Sequence, residues 1–169
     1  MKPWMTNNQI EIIKSYLKPS DIVLEYGIGG STLYFSKYVK KYLSIEHDFD
    51  WFEKIKNNYK LAKNIELHYC KPNNEIDLPV WIGKENDFLD YINYVDKLNY
   101  KIYNKVLIDG RARKFCAKKI LNYINEYSLV FFHDFFERER YHDILNYYKI
   151  INEDKNNGKN PSLVVLRKN

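Results

Sequence analysis

The chain has few of the residues and segments that mark several protein classes. Two cysteines, Cys70 and Cys116, among 169 residues are too few for a disulfide framework, which excludes a small disulfide-stapled secreted domain. No apolar run approaches the ~18 residues of a membrane-spanning helix, and residues 1–4 lack the apolar stretch of a signal peptide. We therefore expect a cytoplasmic protein with no membrane partner.

A strong excess of one charge is also missing. The 27 basic and 22 acidic residues give a net charge of +5 and are interspersed, so no basic stripe indicates a nucleic-acid partner. The sequence contains no internal repeat and no low-complexity segment. At this length we expect one domain with a full hydrophobic core, covering residues 1–169.

Glycine is scarce, and its distribution is the most informative feature of the chain. Three of the six glycines lie in residues 25–32 (EYGIGGST), directly after the apolar run 21–24. The run predicts a buried strand, and the small residues predict a sharp turn into a helix. Such a turn lets backbone approach a ligand closely and directs unpaired N–H groups at it. The pattern favours a nucleotide-type pocket over a tight turn that binds nothing.

The residues around the glycines indicate which ligand the loop holds. A dinucleotide fingerprint would have its third glycine at the position of Thr32 and a small apolar residue before the first glycine. Here the acid Glu25 lies two residues before Gly27. A carboxylate at that position suits a positively charged amino group better than a pyrophosphate.

Hydrophobic periodicity divides the chain into alternating strands and helices. Strands are predicted at residues 21–26, 42–46, 65–70, 105–109, 129–134, 149–152 and 163–166. Helices are predicted after a Thr6–Gln9 capping box, at 31–39, after an Asp50 cap, at 88–98, at 116–124 and around 138–147, with a long loop at 72–87 that can serve a site.

The strand pattern predicts the fold class. Residues 105–108 and 129–132 are apolar at consecutive positions, as in parallel strands covered on both faces by helices. The last two segments are too close together for a crossover helix, so we expect them to pair antiparallel. The prediction is an α/β fold with a mostly parallel seven-stranded sheet, an antiparallel C-terminal hairpin and helices on both faces.

These features together resemble class I S-adenosylmethionine-dependent methyltransferases over nearly the whole chain. The resemblance rests on residues 24–32, on Glu46 ending the second strand and on Asp109 ending the fourth. Residues 42–48 (YLSIEHD) and 107–111 (LIDGR) are similar to small O-methyltransferases that act on sugars or other small hydroxyl compounds. The resemblance implies a Rossmann-like methyltransferase fold and S-adenosylmethionine as cofactor.

The resemblance also implies a cofactor site on the glycine loop. Glu25 would lie near the methionine amino group, the glycines would admit the cofactor, and Glu46 would accept both ribose hydroxyls. The predicted cofactor-binding residues are Glu25, Tyr26, Gly27, Gly29, Ser31, Thr32 and Glu46. Glu46 is supported independently, because open α/β sheets bind ligands at the carboxyl ends of their strands and an acid there grips ribose. Asp48, Trp51 and Cys70 are further candidates near the ribose or the adenine.

Asp109, His133 and Asp134 are the predicted catalytic residues. Both acids end neighbouring central strands, so they should reach one crevice. Two carboxylates there would bind Mg or Mn, which would lower the pKa of an acceptor hydroxyl. Catechol-type methyltransferases follow their two acids with an asparagine, where this chain has Phe135. Without metal, His133 would be the general base, oriented by either acid. His133 and Asp134 both serve the site only if the strand ends between them.

Two arginines are the predicted substrate-binding residues. Arg111 and Arg113 follow Asp109 at the expected start of a helix, where positive charge is unfavourable to the helix dipole. They would clamp an acidic sugar or a phosphate-bearing acceptor, or they would form a solvated pair. Arg138 and Arg140 are interpreted as surface pairs with neighbouring glutamates.

The expected function is methyl transfer from S-adenosylmethionine to a hydroxyl of a sugar, glycan or other small molecule. Two alternatives stay open: an RNA methyltransferase, and a non-catalytic binding subunit in which Asp109, His133 and Asp134 turn away from the crevice. A homo-oligomer is compatible with the sequence.

Overall fold

A seven-stranded sheet organises the structure, a computed structural model that describes residues 1–74, 84–159 and 161–169. The strands are β1 (Ile22–Tyr26), β2 (Lys41–Glu46), β3 (Ile65–Tyr69), β4 (Lys105–Ile108), β5 (Leu129–His133), β6 (Tyr148–Asp154) and β7 (Leu163–Lys168). The helices are α1 (Asn7–Tyr16), α2 (Gly30–Phe35), α3 (Phe49–Asn58), α4 (Leu89–Asn93) and α5 (Arg113–Lys119).

The strand order is β3-β2-β1-β4-β5-β7-β6. The first five strands pair parallel, and β7 lies antiparallel between β5 and β6. The predicted fold class, including the antiparallel C-terminal hairpin, is confirmed. The chain leaves β1 toward β2 on one side and later returns to β4 on the other, so the loops after β1 and β4 diverge and open a crevice at the carboxyl edge.

Consecutive strand residues point to opposite faces of the sheet, and helices cover the apolar side chains on both faces. On one face, Leu24 and Val106 pack in a cluster with residues of α4 and α5. On the other face, Val23 and Leu107 pack with residues of α1 and α2. Because both faces of the central strands are buried, these strands show continuous apolar runs rather than alternation of apolar and polar residues.

Helix starts follow local capping chemistry. Thr6 and Gln9 form the predicted capping box, with Gln9 N–H donating to Thr6 Oγ1 at 3.2 Å. The predicted Asp50 cap is wrong, because Asp48 caps α3 by accepting a hydrogen bond from Trp51 N at 2.9 Å. Asp48 precedes the helix with extended backbone, which is the conformation that an N-cap requires.

Four predicted helices differ in the structure. The segments at 31–39, 88–98 and 116–124 begin as α2, α4 and α5 and finish as 3₁₀ turns. The segment predicted as a helix around 138–147 is 3₁₀ (Glu139–Asn146), and its buried residues Tyr141 and Ile144 are three apart, which matches three residues per turn. Much of the predicted 72–87 loop lies outside the described residues, and within it Glu85–Asp87 form a 3₁₀ turn. Among the described helices, none has the length and apolarity to cross a bilayer.

Candidate functional site

A cavity of about 620 Å³ lies at the carboxyl edge of the sheet. Its walls come from the segments that follow β1, β2, β4 and β5, and residues of the N-terminal segment (residues 1–4) complete its rim. Predicted site residues that line it are Gly27, Gly29, Ser31, Glu46, Asp109, Arg111, Arg113, His133 and Asp134. Two predicted segments distant in sequence therefore meet in one crevice.

Two glycines of the loop after β1, Gly27 and Gly29, have different structural roles. A Cβ on Gly27, whose φ is +100°, would lie 2.9 Å from Gly110 N, so this glycine lets the loop after β1 pack against the loop after β4. A Cβ on Gly29 would meet its nearest neighbour, Ser31 Oγ, only at 4.0 Å. Gly29 therefore leaves open space on the cavity wall, as a ligand that approaches backbone requires.

Glu25 lies behind the loop rather than in the cavity. Its side chain is fully buried, and its carboxylate accepts hydrogen bonds from the hydroxyls of Ser31, Thr32 and Ser44, the last at 2.8 Å. Burial raises the pKa of Glu25 to about 8, against the lowering effect of the three hydroxyl donors. The predicted direct contact with an amino group is therefore replaced by a positioning role, because Glu25 holds the start of α2.

Two other predicted cofactor residues also point away from the cavity. Thr32 is fully buried and accepts a hydrogen bond from Gly29 N–H at 3.1 Å, which fixes the turn. The Tyr26 ring lies in the core, and its hydroxyl donates to Ile92 O at 2.9 Å. Strand alternation directs the Tyr26 ring into the packed layer beside β1, whereas Thr32 lies in α2 and its hydroxyl faces the backbone of the glycine loop.

Glu46 joins the loops after β1 and β2. Its Oε1 accepts hydrogen bonds from the backbone N–H groups of His47 and Asp48 at 2.8 and 2.9 Å. Its Oε2 accepts one from Ile28 N–H at 2.8 Å. Oε1 also lies 2.7 Å from His47 Nδ1, so the acceptor capacity that is left lies on Oε2. Glu46 can therefore accept one ribose hydroxyl at Oε2 without rearrangement, and its contact with both hydroxyls stays a prediction.

Aromatic side chains border the same end of the cavity. Trp51 lines it and donates its indole N–H to Ile28 O at 2.6 Å. Trp4, which the sequence reasoning missed, lies at the rim with 79% of its surface exposed, and its ring centroid is 5.7 Å from that of Trp51. Cys70 lies in the hydrophobic core and does not border the cavity. An exposed indole beside a concave surface can stack on a planar ligand.

The predicted catalytic residues come together after β4 and β5. The structure ends β5 at His133, and Asp134 has a left-handed backbone with φ of 54°. This turn lets both side chains face the cavity, which was the condition the sequence set. His133 Nδ1 donates to Asp109 Oδ1 at 2.9 Å, and His133 Nε2 is buried with no partner among the described residues.

Neighbouring charges shift the pKa values of His133 and Asp109 in opposite directions. Burial alone would lower the pKa of His133, but the bonded Asp109 carboxylate and nearby Asp134 overcome it, so the pKa is raised from its ordinary value. Burial alone would raise the pKa of Asp109, but His133 and Arg113 overcome it and lower the pKa. The Nδ1–H to carboxylate bond places the accepting lone pair of neutral His133 on Nε2.

Arg113 is a structural clamp rather than a substrate ligand. Its guanidinium donates to the carbonyl oxygens of Gly110, His133 and Asp109, at 2.9, 2.6 and 2.9 Å. It also contacts Asp134 Oδ2 at 3.0 Å and Asp109 Oδ1 at 3.2 Å. Four hydrogen bonds and one further ion pair hold this guanidinium, so its geometry favours a structural role over the predicted role in substrate binding.

The acidic cluster does not fit a divalent cation. One potential ligand atom from each of Asp109, His133 and Asp134 lies within 4.8 Å of the others, as a small metal site requires. Both carboxylates, however, already neutralise Arg113, and Asp134 also pairs with Arg138 at 3.3 Å. Phe135, which follows Asp134, is fully buried in the core and offers no ligand atom. Arg113 and Arg138 supply the positive charge that Mg or Mn would bring, so these residues do not fit a metal site.

Arg138 lines the cavity, contrary to the surface role predicted for it. Its side chain is 23% exposed and contacts Asp134 at 3.3 Å and the hydroxyl of Tyr141 at 3.2 Å. The four-residue spacing from Asp134 was visible in the sequence. The sequence could not show that the left-handed turn at Asp134 places both Asp134 and Arg138 at the cavity.

The sequence matches no protein-family model and no curated protein. Solved structures do match its fold. A methyltransferase-like protein from Silicibacter pomeroyi superposes with a TM-score of 0.75 at 21% identity, covering 99% of this chain and 88% of that protein. The chain has the Rossmann-like methyltransferase fold.

Two further structures with the methyltransferase fold extend the comparison. A candidate methyltransferase from Streptococcus mutans, solved in complex with SAH, has a TM-score of 0.62 at 15% identity and covers 98% of this chain and 100% of its own. An rRNA methylase from Streptococcus thermophilus has a TM-score of 0.63 at 13% identity, covering 94% and 92%. At these identities the comparisons define the fold alone.

Proposed function

We propose that the protein is an S-adenosylmethionine-dependent methyltransferase, acting as a single domain, that transfers a methyl group to a hydroxyl of a sugar, glycan or other small molecule. The fold supports the reaction class, and the Streptococcus mutans neighbour was solved with the demethylated form of this cofactor, SAH. The single observation that carries the acceptor chemistry is the buried Nε2 of His133, which has no partner in the described part of the chain and lies in the same cavity as the glycine loop and Glu46.

The cavity has the features that this cofactor needs. The open wall at Gly29 would take the amino acid portion, the remaining acceptor position of Glu46 a ribose hydroxyl, and Trp51 with Trp4 the flat adenine. When bound, S-adenosylmethionine supplies a methyl group activated by its sulfonium. Glu25 would act through the loop, since its three hydroxyl partners hold the turn in shape.

The residues after β4 and β5 would prepare the acceptor. Methyl transfer is a displacement in which the protein mainly aligns the two reactants. His133 would accept the hydroxyl proton at Nε2, while Asp109 holds the Nδ1–H at 2.9 Å and stabilises the imidazolium that forms. Asp134 would stabilise the same charge, because its Oδ1 lies 3.9 Å from His133 Nδ1.

The orientation of these side chains favours an enzyme over a non-catalytic subunit, which would not need them in the crevice. We further propose a compact acceptor rather than RNA. The 27 basic and 22 acidic residues of the chain are interspersed and give a net charge of only +5. The sequence therefore contains no basic stripe of the kind that binds a long phosphate backbone.

Isothermal titration with S-adenosylmethionine and SAH, followed by turnover assays over nucleotide sugars with and without magnesium, tests the proposal. We expect both compounds to bind, and Glu46→Ala to weaken SAH binding by about 1.5–3 kcal/mol through loss of a charged hydrogen bond. Asp50→Ala, on the exposed first turn of α3, is the matched control. Failure of either compound to bind would refute the assignment, and turnover of RNA but not sugars would refute the acceptor class.

A further inference from the structure

We infer that the acceptor carries an anionic group, a carboxylate or a phosphate, close to the hydroxyl that is methylated, and that Arg138 together with Arg111 binds this group. The inference rests on the proposed function, because it assigns the substrate class of the same site. It uses two arginines that line the cavity but take no part in the proposed proton transfer.

Arg138 is held in place with donors to spare. One nitrogen contacts Asp134 at 3.3 Å, another contacts the Tyr141 hydroxyl at 3.2 Å, and its guanidinium carbon lies 5.8 Å from the centroid of the Tyr141 ring. Two of its five N–H groups therefore have partners in the described part of the chain. A guanidinium fixed in this way loses little side-chain entropy on binding, and its remaining donors form the fork that matches a carboxylate or phosphate.

Arg111 adds positive charge to the same region. It is half-buried, and burial together with the like charges of Arg113 and Arg138 lowers its pKa, with Glu46 acting in the opposite sense. Desolvating a cation beside two other cations is unfavourable in the free protein. An anion bound between Arg111 and Arg138 would relieve that cost, which gives the free site a preference for negatively charged ligands.

The local charge balance supports the same conclusion. Arg113 and Arg138 pair with the carboxylates of Asp109 and Asp134, so these four charges balance when His133 is neutral. Protonation of His133 during the reaction would leave this group with a positive charge in excess. A compact anion on the acceptor would offset that charge.

The excess charge lies at the acceptor end of the cavity. Arg138 follows β5, whereas Glu46 ends β2, and β1 and β4 lie between those strands. Three strand spacings of about 4.8 Å separate β2 from β5. An anion at Arg138 is therefore on the far side of the cavity from the ribose position, beside Asp134 and the His133 base.

Binding of matched neutral and anionic sugars to the SAH-loaded protein tests this inference. The probes are D-glucose, D-glucuronate and D-glucose 6-phosphate, at millimolar concentration, measured by ligand-detected NMR. We expect at least one anionic probe to bind about tenfold or more tightly than glucose, as a charge-assisted hydrogen bond predicts. Arg138→Gln should abolish that preference. Arg140→Gln, which removes the same charge from an exposed neighbour, should retain it.

The possible results separate this inference from the proposed function. SAH binding without any anion preference would overturn the inference and leave the proposed function intact. A loss of SAH affinity in Arg138→Gln would also overturn it, because the arginine would then be holding the carboxylate of the cofactor. Unchanged SAH affinity with loss of anion preference would support it. Circular dichroism and SAH titration of both variants confirm that the folded protein is being compared.

Discussion

The hydrogen bond between Asp109 and His133 makes the stability of the protein depend on pH in a defined way. Asp109 Oδ1 lies 2.9 Å from His133 Nδ1 and 3.2 Å from Arg113 Nη2, and the Asp109 side chain is 26% exposed. Asp109→Asn removes the negative charge and keeps the size of the side chain. Both contacts are made by Oδ1, so an amide oxygen in its place can keep the geometry but not the full negative charge that His133 and Arg113 face.

The expected loss follows from these contacts. A hydrogen bond to a charged group contributes about 1.5–3 kcal/mol, and at pH 6 one such bond is lost. For a chain of 169 residues, one kcal/mol shifts Tm by about 3 °C. We therefore expect Asp109→Asn to lower Tm by about 4–9 °C at pH 6.

The pH dependence carries the sharper prediction. The pKa of His133 is raised above 6.5 in the folded protein, so its contribution is fully present below pH 6.5 and is lost as the pH rises through the folded value. The cost of Asp109→Asn should therefore fall between pH 6 and pH 9, toward the about 0.5–1.5 kcal/mol of a neutral hydrogen bond.

Calorimetric unfolding of both proteins at pH 6 and pH 9 measures this difference. Asp96→Asn is the control, because Asp96 pairs with Lys119 at 2.7 Å, and lysine stays charged over this range. The same variant should move the pH dependence of turnover to lower pH, since the His133 base then loses its proton more easily. A cost of Asp109→Asn that is equal at both pH values, or larger at pH 9, would refute the reasoning.

Three further predictions concern the loop and the metal. Gly30→Ala puts a Cβ 2.2 Å from Lys2 O and should destabilise the fold by about 1–3 kcal/mol, as measured by urea unfolding; Gly29→Ala should leave stability unchanged and weaken SAH binding instead. Since burial raises the pKa of Glu25 to about 8, wild-type stability should fall relative to Glu25→Gln as the pH rises from 4.5 to 8. The free energy of unfolding in urea measures this, and equal pH dependence in the two proteins would contradict it. Turnover should survive EDTA, because Arg113 and Arg138 already neutralise the carboxylates of Asp109 and Asp134. A loss of turnover that magnesium restores would overturn that assignment.

Local chemistry was sufficient for much of the fold. The Thr6–Gln9 capping box, the apolar runs of β4 and β5 and the short interval before β7 each act over a few neighbouring residues, and all three predictions are confirmed. The Asp50 cap failed because Asp48 competes for the same role two residues earlier, and helix caps depend on backbone angles that composition leaves open.

The candidate site was predictable in position but not in detail. Acids and glycines at the ends of parallel strands meet at one edge of a sheet, so Gly29, Glu46, Asp109 and His133 could be placed on one cavity from their order alone. The orientation of their side chains could not be predicted. A side chain at a strand end faces either the ligand or the packed layer, and a single backbone turn decides which. The left-handed residue Asp134 is that turn for the acceptor side.

Competition between partners decided the roles of the charged residues. Glu25 was expected at the ligand, but three hydroxyls from α2 and β2 reach its carboxylate first. Arg113 was expected at the acceptor, but three carbonyl oxygens and two carboxylates converge on it. A hydrogen-bonding group has a fixed number of donors or acceptors, and which neighbours occupy them depends on contacts between segments far apart in the chain. Residue order therefore determined the layers and the location of the crevice, whereas packing alone determined which charges face it.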